Sequence, residues 1–315
     1  MANKRSQQYI VDTALEIANQ SAFEARTVSY IPRFMANTSL PTKDLNSNEY
    51  TRNNGRYTLH LLAPKDIGLP YGSYARQLLI YLTTQAKILS CREIHLGNSQ
   101  ARLLNSMGIQ SSGGKNGTTR AFKEQTKRLL ACSIMWISSD SSSWNMESIR
   151  ISNNATLAWS PVTTNKWEAN ICLDESFFQD VIQHAVPIDQ RVIESCSHYP
   201  MATDIYCWLT YRYYKMSCPQ SISWEQLANQ FGNNYARKTS FKKKFILATK
   251  RVSLLYPAAK FSTSDKGILL YPSPPHVSIS AAKKSLISVE NLVDKLSYPR
   301  IKGDIFKHKR WQKHA

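Results

Sequence analysis

The sequence predicts an α+β protein in which one small module is used twice. Three observations carry this reading. A long amphipathic helix, a short helix, a basic helix and a hairpin follow one another after residue 66, and the same four return after residue 184. The short helices share the pattern Leu-x-Asn-x-(Met/Phe)-Gly, at Leu103–Gly108 and Leu227–Gly232. In both places a helix rich in lysine and arginine comes next. Three helices and a β-hairpin are the composition of a winged helix, whose third helix enters the major groove while the wing lies along the backbone. The expected architecture is two tandem winged-helix domains, at residues 66–183 and 184–277. An N-terminal extension, residues 1–65, partly helical or disordered, precedes them, and a basic C-terminal tail, residues 278–315, follows. Chance similarity between two unrelated α+β domains is the competing reading; it explains a six-residue pattern more easily than the shared order of four elements.

The elements follow from spacing. Ile10, Ala14 and Ile17 place a helix within Ser6–Phe23, while Asn37–Asn54, rich in Asn, Ser and Thr, reads as loop. In the first module Ala75, Leu78, Leu79, Leu82, Ala86 and Leu89 recur at helical spacing and mark a buried stripe. Gly108 ends the short helix in a left-handed cap. Gly113–Gly117 is a flexible loop, and Thr118 or Thr119 caps the helix after it. Strands are expected at Ser133–Ser138 and Ser148–Trp159 around a polar turn, Asp140–Asn145, with a further candidate at Trp167–Leu173. In the second module Ala202, Ile205, Leu209, Tyr213 and Met216 form the long helix. Arg237–Tyr256 forms the basic helix, and Ala259–Thr263 with Gly267–Tyr271 makes a hairpin around Ser264-Asp265-Lys266.

Composition narrows the function classes. A hydrophobic content of 42% excludes a wholly disordered basic chain. No run approaches the length of a membrane span. The N-terminus lacks an apolar signal core, so a cytoplasmic protein is expected. Six scattered cysteines without a CxxC pair read as reduced core residues rather than a zinc site. The net charge is +18, and it is graded: residues 1–69 hold 8 basic and 6 acidic side chains, residues 177–276 hold 12 and 6. Between Arg237 and Lys260 there are eight basic residues and no acidic one. Such a run repels itself unless an anion faces it, so a polyanion is the expected partner: double-stranded DNA first, an acidic membrane surface second.

Within the second basic helix, Phe241, Phe245, Ala248, Val252 and Leu255 keep to one narrow sector. Lys243 and Lys250 fall opposite it, Lys242 to one side, and Lys244 with Arg251 to the other. Lysine suits phosphate as a point charge, whereas arginine also reads guanine edges. Arg237 and Lys238 stand at the helix start, where base-reading residues lie, with Asn234 just before them. Lys266 in the wing turn is the expected phosphate contact there. In the first module Lys115, Arg120, Lys123 and Lys127 are the corresponding candidates, a weaker set because Glu124 interrupts it; a merely solvated surface is the alternative.

Catalytic constellations are missing from the text. The seven histidines include no HxH or HExxH spacing, so a metal-dependent nicking site lacks ligands. There is no GxSxG and no phosphate-binding GxxxxGK(S/T). Among sixteen tyrosines no single nucleophile stands out. No enzyme activity, metal or cofactor is expected.

Several runs resemble a known family. They are Leu69-Pro70-Tyr71-Gly72-Ser73, Ser90-Cys91-Arg92-Glu93-Ile94, Gly113-Gly114, Leu130-Ala131-Cys132, Pro187-Ile188-Asp189, Asp204–Arg212, Trp224-Glu225-Gln226-Leu227 and Tyr271–Val277. In this order, across about residues 65–277, they are similar to plasmid replication initiators of the RepA C-terminal type. The resemblance implies binding to repeated origin sites (iterons), opening of adjacent AT-rich duplex, and recruitment of a host initiator and replicative helicase. By analogy with related initiators it also implies a homodimer that dissociates to act. A winged-helix transcriptional repressor, autoregulatory or not, is the runner-up, and a tyrosine nicking or strand-transfer enzyme is a third reading.

Overall fold

The computed structural model describes residues 2–97, 99–115, 117–158, 168–232 and 237–286. It is an α+β fold with several small antiparallel sheets. Helix α1 (Ala2–Asn19) buries Ile10 and Thr13 and leans Ala14 and Ile17 on the core. Strand β1 (Val28–Ile31) and the short α2 (Arg33–Asn37) follow, then the hairpin β2 (Glu49–Asn53) and β3 (Tyr57–Leu62).

This N-terminal region corrects the expected extension. It is folded into the body of the protein, and part of the stretch read as loop is strand β2. The text hid it because β2 turns Tyr50 and Arg52 inward and shows no apolar alternation. Beyond its hairpin partner β3, the sheet is completed by strands far along the chain, out of reach of local patterning.

The first module begins with α3 (Gly72–Leu89). The expected stripe is buried from Ala75 to Ala86, but Leu89, in the last position of the helix, is exposed. Strand β4 (Glu93–His95), helix α4 (Gln100–Ser106) and helix α5 (Thr118–Ala131) come next. Leu103, Leu104 and Met107 are buried, and Gly108 has φ +69°, the left-handed cap expected. After α5 the chain makes two hairpins. The first, β5 (Ser133–Ser139) and β6 (Trp144–Arg150), adds to the N-terminal hairpin in the sheet order β2-β3-β5-β6. Its turn is held by Asp140, whose carboxylate accepts from the backbone and hydroxyls of Ser142 and Ser143. The second, β7 (Ser152–Ala158) and β8 (Glu168–Leu173), joins β4 in the order β4-β8-β7. The single strand expected at Ser148–Trp159 is thus two strands in two sheets. They divide at Ile151, which is fully buried at the crossing.

Helix α6 (Glu175–His184), strand β9 (Val186–Asp189) and helix α7 (Gln190–Ser195) lead to the second module. Strand β9 pairs with β1, and α1 packs on α7. The module consists of α8 (Pro200–Lys215), β10 (Gln220–Ser223), α9 (Trp224–Phe231), α10 (Lys238–Leu255), β11 (Phe261–Thr263) and β12 (Gly267–Leu270). Strand β10 has no counterpart in the sequence reading. It makes the sheet β10-β12-β11, the same arrangement as β4-β8-β7: in each, the strand between the first two helices pairs with the last strand. Leu227 and Phe231 are buried like Leu103 and Met107.

The first helices of the two modules are joined by a buried ion pair. Asp204 of α8 accepts from Arg76 of α3 through Nε and Nη2, both at 2.7 Å. The guanidinium also donates to the carbonyls of Leu40, Pro41 and Gly72. A buried charge is tolerated when paired and hydrogen-bonded, and here each nitrogen of the guanidinium has a partner. One hydrophobic cluster runs from Ile10 to Leu270 across both modules.

Candidate nucleic-acid interface

The site is built on α10. Phe241, Phe245, Ala248, Val252 and Leu255 are all buried, so the stripe read from the sequence is the face that docks. Phe245 sits among Trp224, Phe231 and Phe241, with ring centroids 5.5–5.9 Å away. Burying large side chains along one stripe fixes the rotation of the helix and therefore what faces out. Lys243, Lys244 and Lys250 are exposed, and no carboxylate pairs with them among the described residues. Arg237 is the exposed N-cap residue, and Lys238 begins the helix, also exposed.

On α10, Lys242 and Arg251 are tied to other side chains. Lys242 lies 5.0 Å from the centre of the Trp224 ring and bridges to Asp265 at 3.1 Å. Arg251 stacks over Tyr199 at 3.6 Å, half-buried. Lys242 therefore ties the helix to the hairpin turn, and Arg251 ties it to the start of α8.

The turn between β11 and β12 is pinned beside α10. Trp224 Nε1 donates to the carbonyl of Ser264 and the Trp224 backbone N–H to that of Lys266. Ser223 caps α9 in a reciprocal box with Gln226, which fixes where Trp224 leaves the strand. Gly267 passes so close to β10 that a Cβ would lie 2.0 Å from the Ile222 carbonyl oxygen. Lys266 is held exposed at the tip of this turn.

In the first module Lys115, Arg120 and Lys127 are exposed and Lys123 is half-buried. The Gly114 loop brings Lys115 to Arg120, whose Nη1 approaches its carbonyl at 3.5 Å. Glu124 does not break this face: it turns to Arg128 at 3.0 Å, and Arg128 also takes Asp44 at 2.9 Å. Asn234 lies outside the described residues, as does the tail beyond residue 286.

Sequence reasoning missed two features. Trp224 anchors the turn, and the signal for it was only an aromatic residue just after a capping serine. Leu247 and Leu254 are 63% and 55% exposed, and their spacing interleaves them with Lys243 and Lys250 along the outer ridge. His276 packs half-buried against Tyr206 and Tyr256, and desolvation lowers its pKa to about 4, so it is neutral at pH 7. Among the described residues no cluster fits a metal ion, and no helix is long and apolar enough to cross a membrane. None of the cysteines forms a disulfide; Cys132, Cys196 and Cys207 are buried, while Cys91 and Cys218 are exposed.

The fold is similar to a solved structure of domains 2 and 3 of RctB, a selenomethionine derivative, with a TM-score of 0.51. The match covers 78% of this chain and 97% of that one at 10% identity, a likeness of fold alone. No curated protein matches the chain in sequence. Residues 69–226, half of the chain, match the family model described as plasmid encoded RepA protein. They take in most of the motif runs, from Leu69 to Gln226, and the chain belongs to the plasmid-encoded RepA family of replication initiators.

Proposed function

We propose that this initiator is a non-enzymatic protein that binds repeated duplex sites at its own plasmid origin through two winged-helix modules, residues 66–183 and 184–277. In this reading α10 is the recognition helix of the second module and the β11–β12 hairpin its wing. The observation that carries it is the ridge of Lys243, Lys244 and Lys250, uncompensated by acid, with Lys266 held beside it on an anchored turn. In this reading the lysines contribute phosphate attraction, Arg237 and Lys238 read base edges, and Leu247 offers an apolar surface suited to thymine methyls. The exposed cations Lys115, Arg120 and Lys127 would give the first module a second, weaker contact. Opening of AT-rich duplex, recruitment of a host initiator and helicase, action in the cytoplasm and a dimer that dissociates complete the proposal by family resemblance.

Footprinting the purified chain on its own plasmid origin tests it. Protection of several direct repeats beside an AT-rich stretch is the expected result. Protection of only an inverted repeat at a promoter would support the repressor reading, and nicks or covalent adducts on supercoiled origin DNA would support the enzyme.

A further inference from the structure

The hairpin beside α10 carries an acid in a part of the chain that otherwise has none. Asp265 is the only acidic residue between Glu225 and Glu290, a stretch that holds eleven lysines and arginines. It stands at the tip of the β11–β12 turn next to Lys266, and its side chain is fully open to solvent. Its carboxylate meets Lys242 Nζ of α10 at 3.1 Å. No carboxylate pairs with Lys243, Lys244, Lys250 or Lys266 among the described residues. One acid therefore cancels one chosen lysine at the edge of the cationic ridge.

The geometry assigns this pair to binding and not to folding. Trp224 grips the turn on both sides of Asp265: its Nε1 donates to the carbonyl of Ser264 and its backbone N–H to that of Lys266. The Ser264 N–H donates to the Gly267 carbonyl and closes the turn. The turn is thus held without the ion pair. The face of the same Trp224 ring carries Lys242 Nζ, 5.0 Å from its centre, so one side chain positions both partners. An ion pair this open to water adds little to stability. What it does alter is the field that an approaching polyanion meets.

Random duplex is held by phosphate attraction alone, and with no base contacts to fix the pose each free lysine finds a phosphate. On a specific site the base edges set the pose, and a lysine resting on Trp224 stays where that pose leaves it. Cancelling a cation at the edge of the helix therefore weakens random binding more than specific binding. Resting on the reading of α10 as the recognition helix, we infer that Asp265 is a specificity-determining residue. By holding Lys242 it withholds one phosphate contact from random DNA and widens the gap between origin repeats and other sequence.

The test uses the full chain and two fluorescein-labelled duplexes of equal length, one from its own origin and one with that sequence scrambled, read by anisotropy across a range of salt. Asp265→Asn should tighten scrambled-duplex binding at least about threefold at low salt and steepen its slope of log affinity against log salt by about 0.9. Origin binding should tighten by less than about 1.5-fold, so discrimination falls at least about twofold. Asp265→Glu keeps the charge and should behave like the parent. Lys242→Met/Asp265→Asn removes both charges and should bind the scrambled duplex within about 1.5-fold of the parent. All these variants should melt with the parent, because the pair is exposed. The inference is overturned if Asp265→Asn leaves discrimination unchanged or lowers the melting temperature. It is overturned equally if Asp265→Glu shares the effect, or if the double variant binds scrambled duplex as tightly as Asp265→Asn alone. Lys243→Ala/Lys250→Ala tells this failure from that of the α10 reading. If that variant binds both duplexes like the parent, the α10 reading falls and the inference with it; if it loses them while Asp265→Asn changes nothing, only the inference falls.

Discussion

Helices α5 and α10 each follow a short helix, each bury a stripe led by phenylalanine, and each turn basic side chains outward. In the sequence they differ mainly by Glu124, which interrupts the basic face of α5, while α10 has no acid at all. In space the difference is elsewhere. Glu124 turns aside to Arg128, leaving Arg120 and Lys127 open, whereas α10 commits Lys242 and Arg251 to Trp224, Asp265 and Tyr199. What distinguishes α10 is the turn anchored beside it through Trp224, which sets Lys266 at the edge of the same surface. Counting charges along a helix thus overstates the contrast between the modules. Following each charge to its partner shows that position, more than number, separates the two helices.

The largest effect should fall on the feature the two helices share. Phe122 and Phe245 are both fully buried, and changing either to Ala should cost about 3–5 kcal/mol of stability. Urea unfolding measures this. A cost confined to Phe245→Ala would mean that α5 is not docked as α10 is, and the comparison would break at its root.

The next effect concerns what faces outward. Lys243→Ala/Lys250→Ala should reduce the slope of log affinity against log salt by about 1.8, since each lost phosphate contact removes roughly 0.9. Arg120→Ala/Lys127→Ala should change the slope by less, because the first module is expected to touch the backbone more weakly. Binding isotherms on origin duplex at several salt concentrations decide this. Equal changes would make the two modules equivalent binders.

The smallest effect isolates the hairpin. Lys266→Glu should lower duplex affinity severalfold, an effect that fades as salt rises, with no change in melting temperature because the side chain is exposed. A drop in melting temperature instead would mean that the turn, and not its charge, matters.

The sequence by itself determined the order of the three helices in both modules and the inward faces of α3, α8 and α10. Those faces are written in local periodicity, which a helix converts directly into burial. It also carried the motif runs that mark the family. Charge excess and the absence of acid between Arg237 and Lys260 were legible for the same reason: they are properties of neighbours in the chain.

Only the tertiary structure decided the rest. Strands β1 and β3 were hidden because their partners, β9 and β5, are distant in sequence, and β2 because it buries a tyrosine and an arginine instead of an apolar alternation. The Arg76–Asp204 pair reads in the text as two unrelated surface charges; it becomes a strut only when α3 and α8 meet. A hollow walled by Arg56, Tyr57, Tyr211 and Lys215 has the same origin, since residues from a hairpin before the first module meet residues from a helix of the second. Periodicity reports which side of an element is buried, but a site made between elements depends on which elements meet, and that depends on the packing of the whole chain.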